Sequence, residues 1–291
     1  MEAREAALFG SSEPVRAFIL DDWSLATFDL ARDTAVVLDP GGEIAAYGQL
    51  STHDPMAFFE AWVNVHPRCE GRGIGAALMR WTEAKAAERL PAGASSAVRN
   101  GVASVDERAR SLLSGAGYSH VRSFWQMTIE VGDGVALPPD PEGVVIRPYV
   151  DPDDDRGLYE TMETAFATHF GYREETFEEW IGNQRGFATW DPSLLVIAEA
   201  AGGVVGGAIN FLNEDGVGWV GELGVRPAWQ RRGIGRALLR RSFADFSARG
   251  SKTVRLGVDT ENESGAVGLY RSVGMSPFRE WCVYETRVSR D

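Results

Sequence analysis

The sequence predicts an α/β protein of the α+β kind, a mixed sheet with flanking helices, built as two tandem copies. Three observations predict it. The chain repeats itself at an offset of 160 positions, the size of a domain. Within each copy, apolar runs of strand length alternate with amphipathic stretches of helix length. The 291 residues, 44% apolar and 24% charged, have the composition of globular domains and not of a disordered, fibrous or disulfide-stapled chain.

The repeat is clearest at two turns. Residues 63–78 read VNVHPRCEGRGIGAAL and residues 223–238 read LGVRPAWQRRGIGRAL. Val65, Pro67, Gly73 and Gly75 answer Val225, Pro227, Gly233 and Gly235. Upstream, 35–38 parallels 195–198; downstream the offset shrinks to 157, where Gly117 answers Gly274. Between the copies, 132–143 (GDGVALPPDPEG) carries prolines and glycines without periodicity and reads as a linker. The division is therefore an N-terminal domain at 1–131 and a C-terminal domain at 144–291.

The elements follow in order. In the second copy a strand opens at 144–148, and helices are expected at 153–168 and 174–184. Strands at 194–200 and 204–212 flank a Gly202-Gly203 hairpin turn, and a strand at 217–225 leads into the glycine turn. A helix at 232–248 places Ile234, Leu238, Leu239, Phe243 and Phe246 on one side. A strand at 253–258, a helix at 264–272 and a strand at 281–287 complete the copy. The first copy repeats this with a helix at 13–24, strands at 34–39, 43–50 and 59–65, a long helix at 73–90, a strand at 95–100, a helix at 105–115 and a strand at 122–131. Residue 1 aligns with about residue 161, so the first copy lacks the initial strand and helix, and a sheet edge is left to be covered.

Charge and cysteines narrow the function classes. With 29 basic and 42 acidic residues the net charge is −13, which repels phosphate backbones, so no nucleic-acid partner is expected. No apolar run reaches about 18 residues and the start has no basic segment before an apolar core, so neither a membrane span nor a signal peptide is expected. Cys69 and Cys282 stand 213 positions apart, and His53, His66, His120 and His169 are scattered. No metal is expected, and the thiols read as reduced in a cytoplasmic protein.

The chemistry lies in the glycine turn. Residues 230–236, QRRGIGR, follow a strand and open a helix. Glycines let the backbone approach a ligand, the first helical turn leaves N–H groups unpaired, and the helix dipole favours an anion such as a pyrophosphate. Arg231, Arg232 and Arg236 add positive charge. A bare strand-to-helix connection needs none of this, and the turn's presence in both copies favours the ligand. Gly71, Gly73 and Ala76 also fit a dinucleotide pattern, but the second copy breaks it at Arg231, and no lysine follows the glycines as in a P-loop.

Gln230, Gly233 and Gly235 after Val225-Arg-Pro, with Asn262-Glu-Ser-Gly-Ala266, Leu269-Tyr270 and Gly274-Met275, resemble the motifs of the GNAT superfamily of acetyl-CoA-dependent N-acetyltransferases. The resemblance covers nearly all of the second copy and most of the first. The layout is similar to the tandem GNAT group that includes mycothiol synthase, whose substrate is not carried over. The resemblance implies acetyl-CoA as co-substrate, no metal, and a sheet splayed between its fourth and fifth strands to admit the pantetheine arm. It implies that backbone groups of Leu223 and Val225 pair with pantetheine. Amides of Arg231, Arg232, Gly233, Ile234, Gly235 and Arg236 would hold the pyrophosphate, Asn262 would lie near the arm, and Tyr270 would protonate the departing thiolate.

An attacking amine must first lose a proton. Glu222, a charge in a strand otherwise marked by Val220, Leu223 and Val225, is the candidate acceptor, and burial would raise its pKa usefully. His169, Phe170, Tyr172 and Trp180 are expected on the acceptor side, Trp219 is expected to pack in the sheet, and Glu174, Glu175, Glu178 and Glu179 read as a solvated helix face. In the first copy Trp62, Leu113, Val105 and Glu70 stand where Glu222, Tyr270, Asn262 and Gln230 stand, with Glu60 as a rival base. Val65, Gly71, Arg72, Gly73 and Gly75 form a second candidate CoA site in a copy expected to be non-catalytic. The expected activity is acetyl transfer from acetyl-CoA to a primary amine of a small molecule by direct attack in a ternary complex. Two alternatives stand beside it: acetylation of a protein N-terminus or side chain, and a non-catalytic acyl-CoA sensor or scaffold.

Overall fold

The structure, a computed structural model, describes residues 1–291 except 133, 138, 263 and 291, and the side chains of 17 and 18. Positions 133 and 138 of the expected linker and position 263 of the later motif therefore lie outside the described residues. In chain order the first copy comprises α1 (Glu2–Phe9), α2 (Arg16–Ser24), α3 (Leu30–Asp33), β1 (Thr34–Leu38), β2 (Ile44–Ser51), β3 (Phe58–Val65), a 3-10 turn (Pro67–Cys69), α4 (Ile74–Glu88), β4 (Ser95–Ala103), α5 (Glu107–Gly115) and β5 (Ser119–Glu130). The second comprises β6 (Val145–Pro148), α6 (Asp155–Phe166), α7 (Phe177–Gly186), a 3-10 turn (Pro192–Leu194), β7 (Val196–Ala200), β8 (Gly203–Leu212), β9 (Gly218–Val225), a 3-10 turn (Pro227–Trp229), α8 (Ile234–Ala248), β10 (Thr253–Asp259), α9 (Ala266–Ser272) and β11 (Ser276–Ser289). Every element expected from the repeat is present; α1 and α3 are additions that no repeat signal marked.

Packing divides the chain into two compact units, Met1–Phe124 with Arg279–Asp291, and Trp125–Phe278. The boundary at 131/144 marks the repeat; the packing boundaries fall instead within β5, after Phe124, and within β11, before Arg279. β11 lies beside β4 in the first unit through nine antiparallel pairs from Trp281↔Ala103 to Ser289↔Ser95. An Arg99–Glu285 ion pair of 2.9 Å crosses that ladder. Cys282 and Tyr284 of β11 complete a core with Met79, Leu113 and Tyr118. This local complementarity, which a repeat offset does not report, assigns the strand.

In the first unit the order β1-β2-β3-β4-β11 carries α4 on one face. Leu50, Phe59, Ala61, Ala86, Leu90 and Val98 form a core there. Cys69 and Cys282 are both free and buried. In the second unit the order is β5-β10-β9-β8-β7-β6. α8 buries Ile234, Leu238, Leu239, Phe243 and Phe246 at helical spacing against one face. α6 and α7 cover the other, with Leu158, Met162 and Trp180 against Leu195, Ile197 and Ile209. Among the described residues β6 has no counterpart in the first unit, whose outer strand is β1. Also among the described residues, no helix is long and apolar enough to cross a membrane.

Candidate active site

Glu222 and Tyr270, the candidate base and acid, both belong to the second unit, and the rival Glu60 to the first. Glu222 is placed by an irregularity in β9. The ladder pairs Ile209 with Glu222 and then Asn210 with Val220, so Gly221 is an extra, bulged residue. A bulge bends its strand and re-aims the adjacent side chain. Glycine fits because a Cβ there would lie 3.1 Å from the Phe211 ring and 3.3 Å from the Ile209 carbonyl oxygen. Beyond the bulge, Leu223 and Val225 pack towards Ile234 and Leu238 of α8. Gly224 backs onto Met162 and Ala165 of α6, and Glu222 shares that face. The Glu222 carboxyl is half-buried and pushed up to about 7, first by lost solvation and then by the like charges of Glu175 and Glu163; a hydrogen bond from Gln184 opposes the shift. A carboxylate in that range suits proton transfer near neutral pH.

Immediately past Val220 the sheet opens. β9 and β10 run parallel and pair only at Gly218, Trp219 and Val220, opposite Val254, Arg255 and Leu256. Residues 221–225 and 257–259 then have no partners in each other, which is the splay implied for the pantetheine arm. The Val225 carbonyl accepts a hydrogen bond from Gln230 Nε2 at 3.1 Å, which ties the end of β9 to the turn.

The turn itself presents unpaired amides. Gly233 caps α8 in the left-handed region at φ +85°, and the first helical bond runs from the Ala237 amide to the Gly233 carbonyl at 3.0 Å. The amides of Ile234, Gly235 and Arg236 precede that bond and suit an anion. Arg231 holds φ +64°, a conformation that costs a non-glycine residue about 1–3 kcal/mol and is typical of ligand clamps. Arg231, Arg232 and Arg236 are exposed around this turn, Arg232 lying 4.7 Å from the Trp229 ring centre and Arg236 3.2 Å from Ser272 Oγ. Gly235 has a second, steric reason: a Cβ there would come 3.0 Å from Leu269 of α9.

Tyr270 sits on α9 in the core that includes Met127, Leu256, Val258 and Val273. Its phenol is pushed up to about 12 by burial, so it carries its proton throughout the neutral range. Among the described residues its hydroxyl has no hydrogen-bond partner. Asn262 accepts from the Ser264 amide at 2.7 Å and lies 3.4 Å from His169 Nε2. The structure thereby joins a residue read as cofactor-side to one read as acceptor-side. Burial lowers the His169 pKa, opposed by Asp259, so the imidazole is neutral at pH 7. Phe170 is half-buried, and Tyr172 donates to Glu163 Oε2 at 2.6 Å.

Trp180, expected on the acceptor side, is instead a core residue, 5% exposed and packed beside Tyr159, because it lies on the sheet-facing side of α7. Trp219 packs as expected, stacked on Phe211 at 6.2 Å. Of the acidic run, Glu174, Glu178 and Glu179 are exposed and Glu179 closes a capping box with Thr176, while Glu175 is tucked in against Arg173 at 2.6 Å. Gln184 and Glu163 are not legible in the sequence; neither lies in a motif, and only the packing of α6 and α7 brings them to Glu222.

The first unit keeps the frame with different contents. Trp62 sits in a regular ladder opposite Gln49, with Ala61 where Gly221 makes the bulge. β3 and β4 also part, after Ala61↔Asn100. Gly71 and Gly73 hold φ +74° and +76°, Arg72 is exposed, Val65 is half-buried, and Gly75 abuts Leu112 at 3.2 Å. Glu70, however, is tied by Arg4 of α1 and by Arg108, the latter at 2.7 Å, and Arg4 also reaches Asp106 at the cap of α5. Val105 is exposed and Leu113 buried where Asn262 and Tyr270 have their counterparts. Glu60 is exposed and pairs in register with Arg99. Among the described residues no group of three or more His, Cys, Asp or Glu is arranged to hold a metal ion.

The chain matches the Acetyltransferase (GNAT) family twice, over residues 4–118 and 157–275. A mycothiol acetyltransferase of Streptomyces avermitilis is 30% identical over 253 residues, spanning 86% of this chain and 79% of that protein. One of Thermobispora bispora is 31% identical over 255 residues, spanning 85% and 81%. A GCN5-related N-acetyltransferase from Sphaerobacter thermophilus superposes with a TM-score of 0.84 at 31% identity, over 99% of this chain and 90% of the other. A tandem GNAT protein from the clavulanic acid biosynthesis pathway, 14% identical, shares the fold with a TM-score of 0.70 over 96% and 89% of the two chains.

Proposed function

This chain belongs to the GNAT acetyltransferase family and is an acyltransferase, and from that premise we propose that its second copy transfers an acetyl group from acetyl-CoA to a primary amine of a small molecule, by direct attack in a ternary complex. The observation that carries the reading is Glu222, re-aimed by the Gly221 bulge where β9 and β10 part. The carboxylate accepts a proton from the acceptor's ammonium group, and the freed amine attacks the thioester carbonyl. As the C–S bond breaks, the thiolate of CoA takes a proton from Tyr270, and the second proton that the attacking nitrogen gives up on becoming an amide returns the phenol to its neutral form. The free amides at the start of α8, with Arg231, Arg232 and Arg236, hold the pyrophosphate, the stretch at Leu223 and Val225, paired to β8 but open on its β10 side, takes the pantetheine arm, and Asn262 with His169 lies beside it. His169, Phe170 and Tyr172 bound the acceptor. The relatives named mycothiol acetyltransferase support a small-molecule acceptor.

The first copy is read as non-catalytic: it has tryptophan for the base, leucine for the acid, and a carboxylate at the anion turn. The test is release of free thiol from acetyl-CoA across a panel of primary amines. Turnover on at least one amine is expected, and Tyr270→Phe should lower kcat by about 10²-fold. Full activity in both Tyr270→Phe and Glu222→Gln would overturn the mechanism, and tight CoA binding with no turnover on any amine would overturn the activity.

A further inference from the structure

We infer that Gln184 is the positioning residue for the acceptor-side carboxylate: its side-chain amide holds one oxygen of Glu222 and leaves the other free to take the amine's proton. The inference rests on the reading of Glu222 as the base. Gln184 is only 8% exposed, and a buried amide is retained where it has a partner. Its Nε2 donates to Glu222 Oε1 at 3.4 Å. The placement is built into α7. Gln184 stands one turn after buried Trp180, so both face the sheet. The helix is fixed at its start by the Thr176–Glu179 capping box and at its end by Arg185, which reaches Asp151 and Asp155, the latter at 2.7 Å. Tyr149 in turn donates to Asp155.

The electrostatics give the amide its task. Glu222 faces Glu163 of α6 and Glu175 of the segment before α7, both of which disfavour a second negative charge. Arg173 attends Glu175 and the Tyr172 hydroxyl attends Glu163, so neither engages Glu222 directly. The bond from Gln184 is the named contact that favours the ionised form and fixes its orientation. In the first copy the position answering Gln184 is Ser24, which is exposed, and the strand has no carboxylate at Trp62 to hold.

The experiment is the pH profile of kcat/KM for Gln184→Leu, with the Glu222 carboxyl titrated directly by ¹³C NMR in glutamate-labelled protein and assigned by its loss in Glu222→Gln. Loss of a hydrogen bond to a charged group should move the acidic limb and the titration up by about one pH unit. Gln184→Glu, of the same shape but carrying a like charge, should move both further up, which covers the case in which the leucine variant folds poorly. An unmoved titration in a folded variant overturns the inference. If the acidic limb vanishes in Glu222→Gln but stays put in Gln184→Leu, the inference fails and the reading of Glu222 stands. If the limb persists in Glu222→Gln, the reading of Glu222 fails, while the titration still decides whether Gln184 holds that carboxyl.

Discussion

The second unit has a glycine bulge one residue before Glu222; the first has Ala61 in an unbroken ladder before Trp62. The two share a parallel strand pair that parts after a few residues, a 3-10 turn, positive-φ glycines and a long helix. What they share is the frame needed to bury a core and open a sheet. What separates their cleft regions is one local irregularity together with the groups around it: a buried amide, an asparagine beside an imidazole, and a phenol in an apolar core. At the glycine turn the contrast has an electrostatic form. Gln230 ties itself to the Val225 carbonyl and leaves the arginines exposed, whereas Glu70 draws Arg4 and Arg108 into ion pairs. The same frame carries different groups in the two units because packing tolerates many side chains, while the proposed proton transfer needs one carboxylate in one orientation.

The sharpest way to break this contrast is to remove a carboxylate from each unit. Glu222→Gln should lower kcat/KM by about 10³-fold, and Glu60→Gln should leave it within about twofold, in the same thiol-release assay. The opposite ranking would move catalysis to the first copy. A smaller effect is expected at the turns. Replacing Arg232 and Arg236 together by alanine should weaken acetyl-CoA binding about tenfold by titration calorimetry, whereas Arg72→Ala should leave the measured affinity unchanged.

Stability sharpens the comparison further. The folded pKa of Glu222 lies above its ordinary value, at about 7. The folded state therefore holds that proton more tightly than the unfolded chain, and the residue costs stability progressively as pH rises through the window from about 4.5 to 7. Glu222→Gln should melt a few degrees above the parent at pH 8, with the gap closing at pH 4. A gap of constant size would mean that the carboxyl is not responsible. The smallest effects are backbone ones. Gly233→Ala and Gly73→Ala both force an L residue to positive φ, so each should cost about 1 kcal/mol, read as a fall in Tm of about 2–4 °C. Only the first should also weaken CoA binding.

Much of this was legible in the residues. Alternating apolar runs and the 160-residue offset located the elements of both copies, since side-chain periodicity is a local property. The turn glycines, Glu222 and Tyr270 were legible because each breaks the pattern around it or recurs in a motif. Other features were not. Trp180 has the composition of a pocket residue and the position of a core one, and only the face of α7 decides between them. Gln184 and Glu163 carry no motif, and His169 meets Asn262 across 93 positions of chain.

The sequence by itself determined the two copies, their order of strands and helices, the glycine turn that opens each long helix, and which copy holds Glu222 and Tyr270. The tertiary structure decided the rest: which unit owns β11, where the bulge aims Glu222, and which neighbours set its pKa. The physical reason is range. Periodicity, turns and helix ends are fixed by neighbours a few residues away, whereas strand ownership, burial and charge–charge coupling depend on residues that only the folded chain brings together.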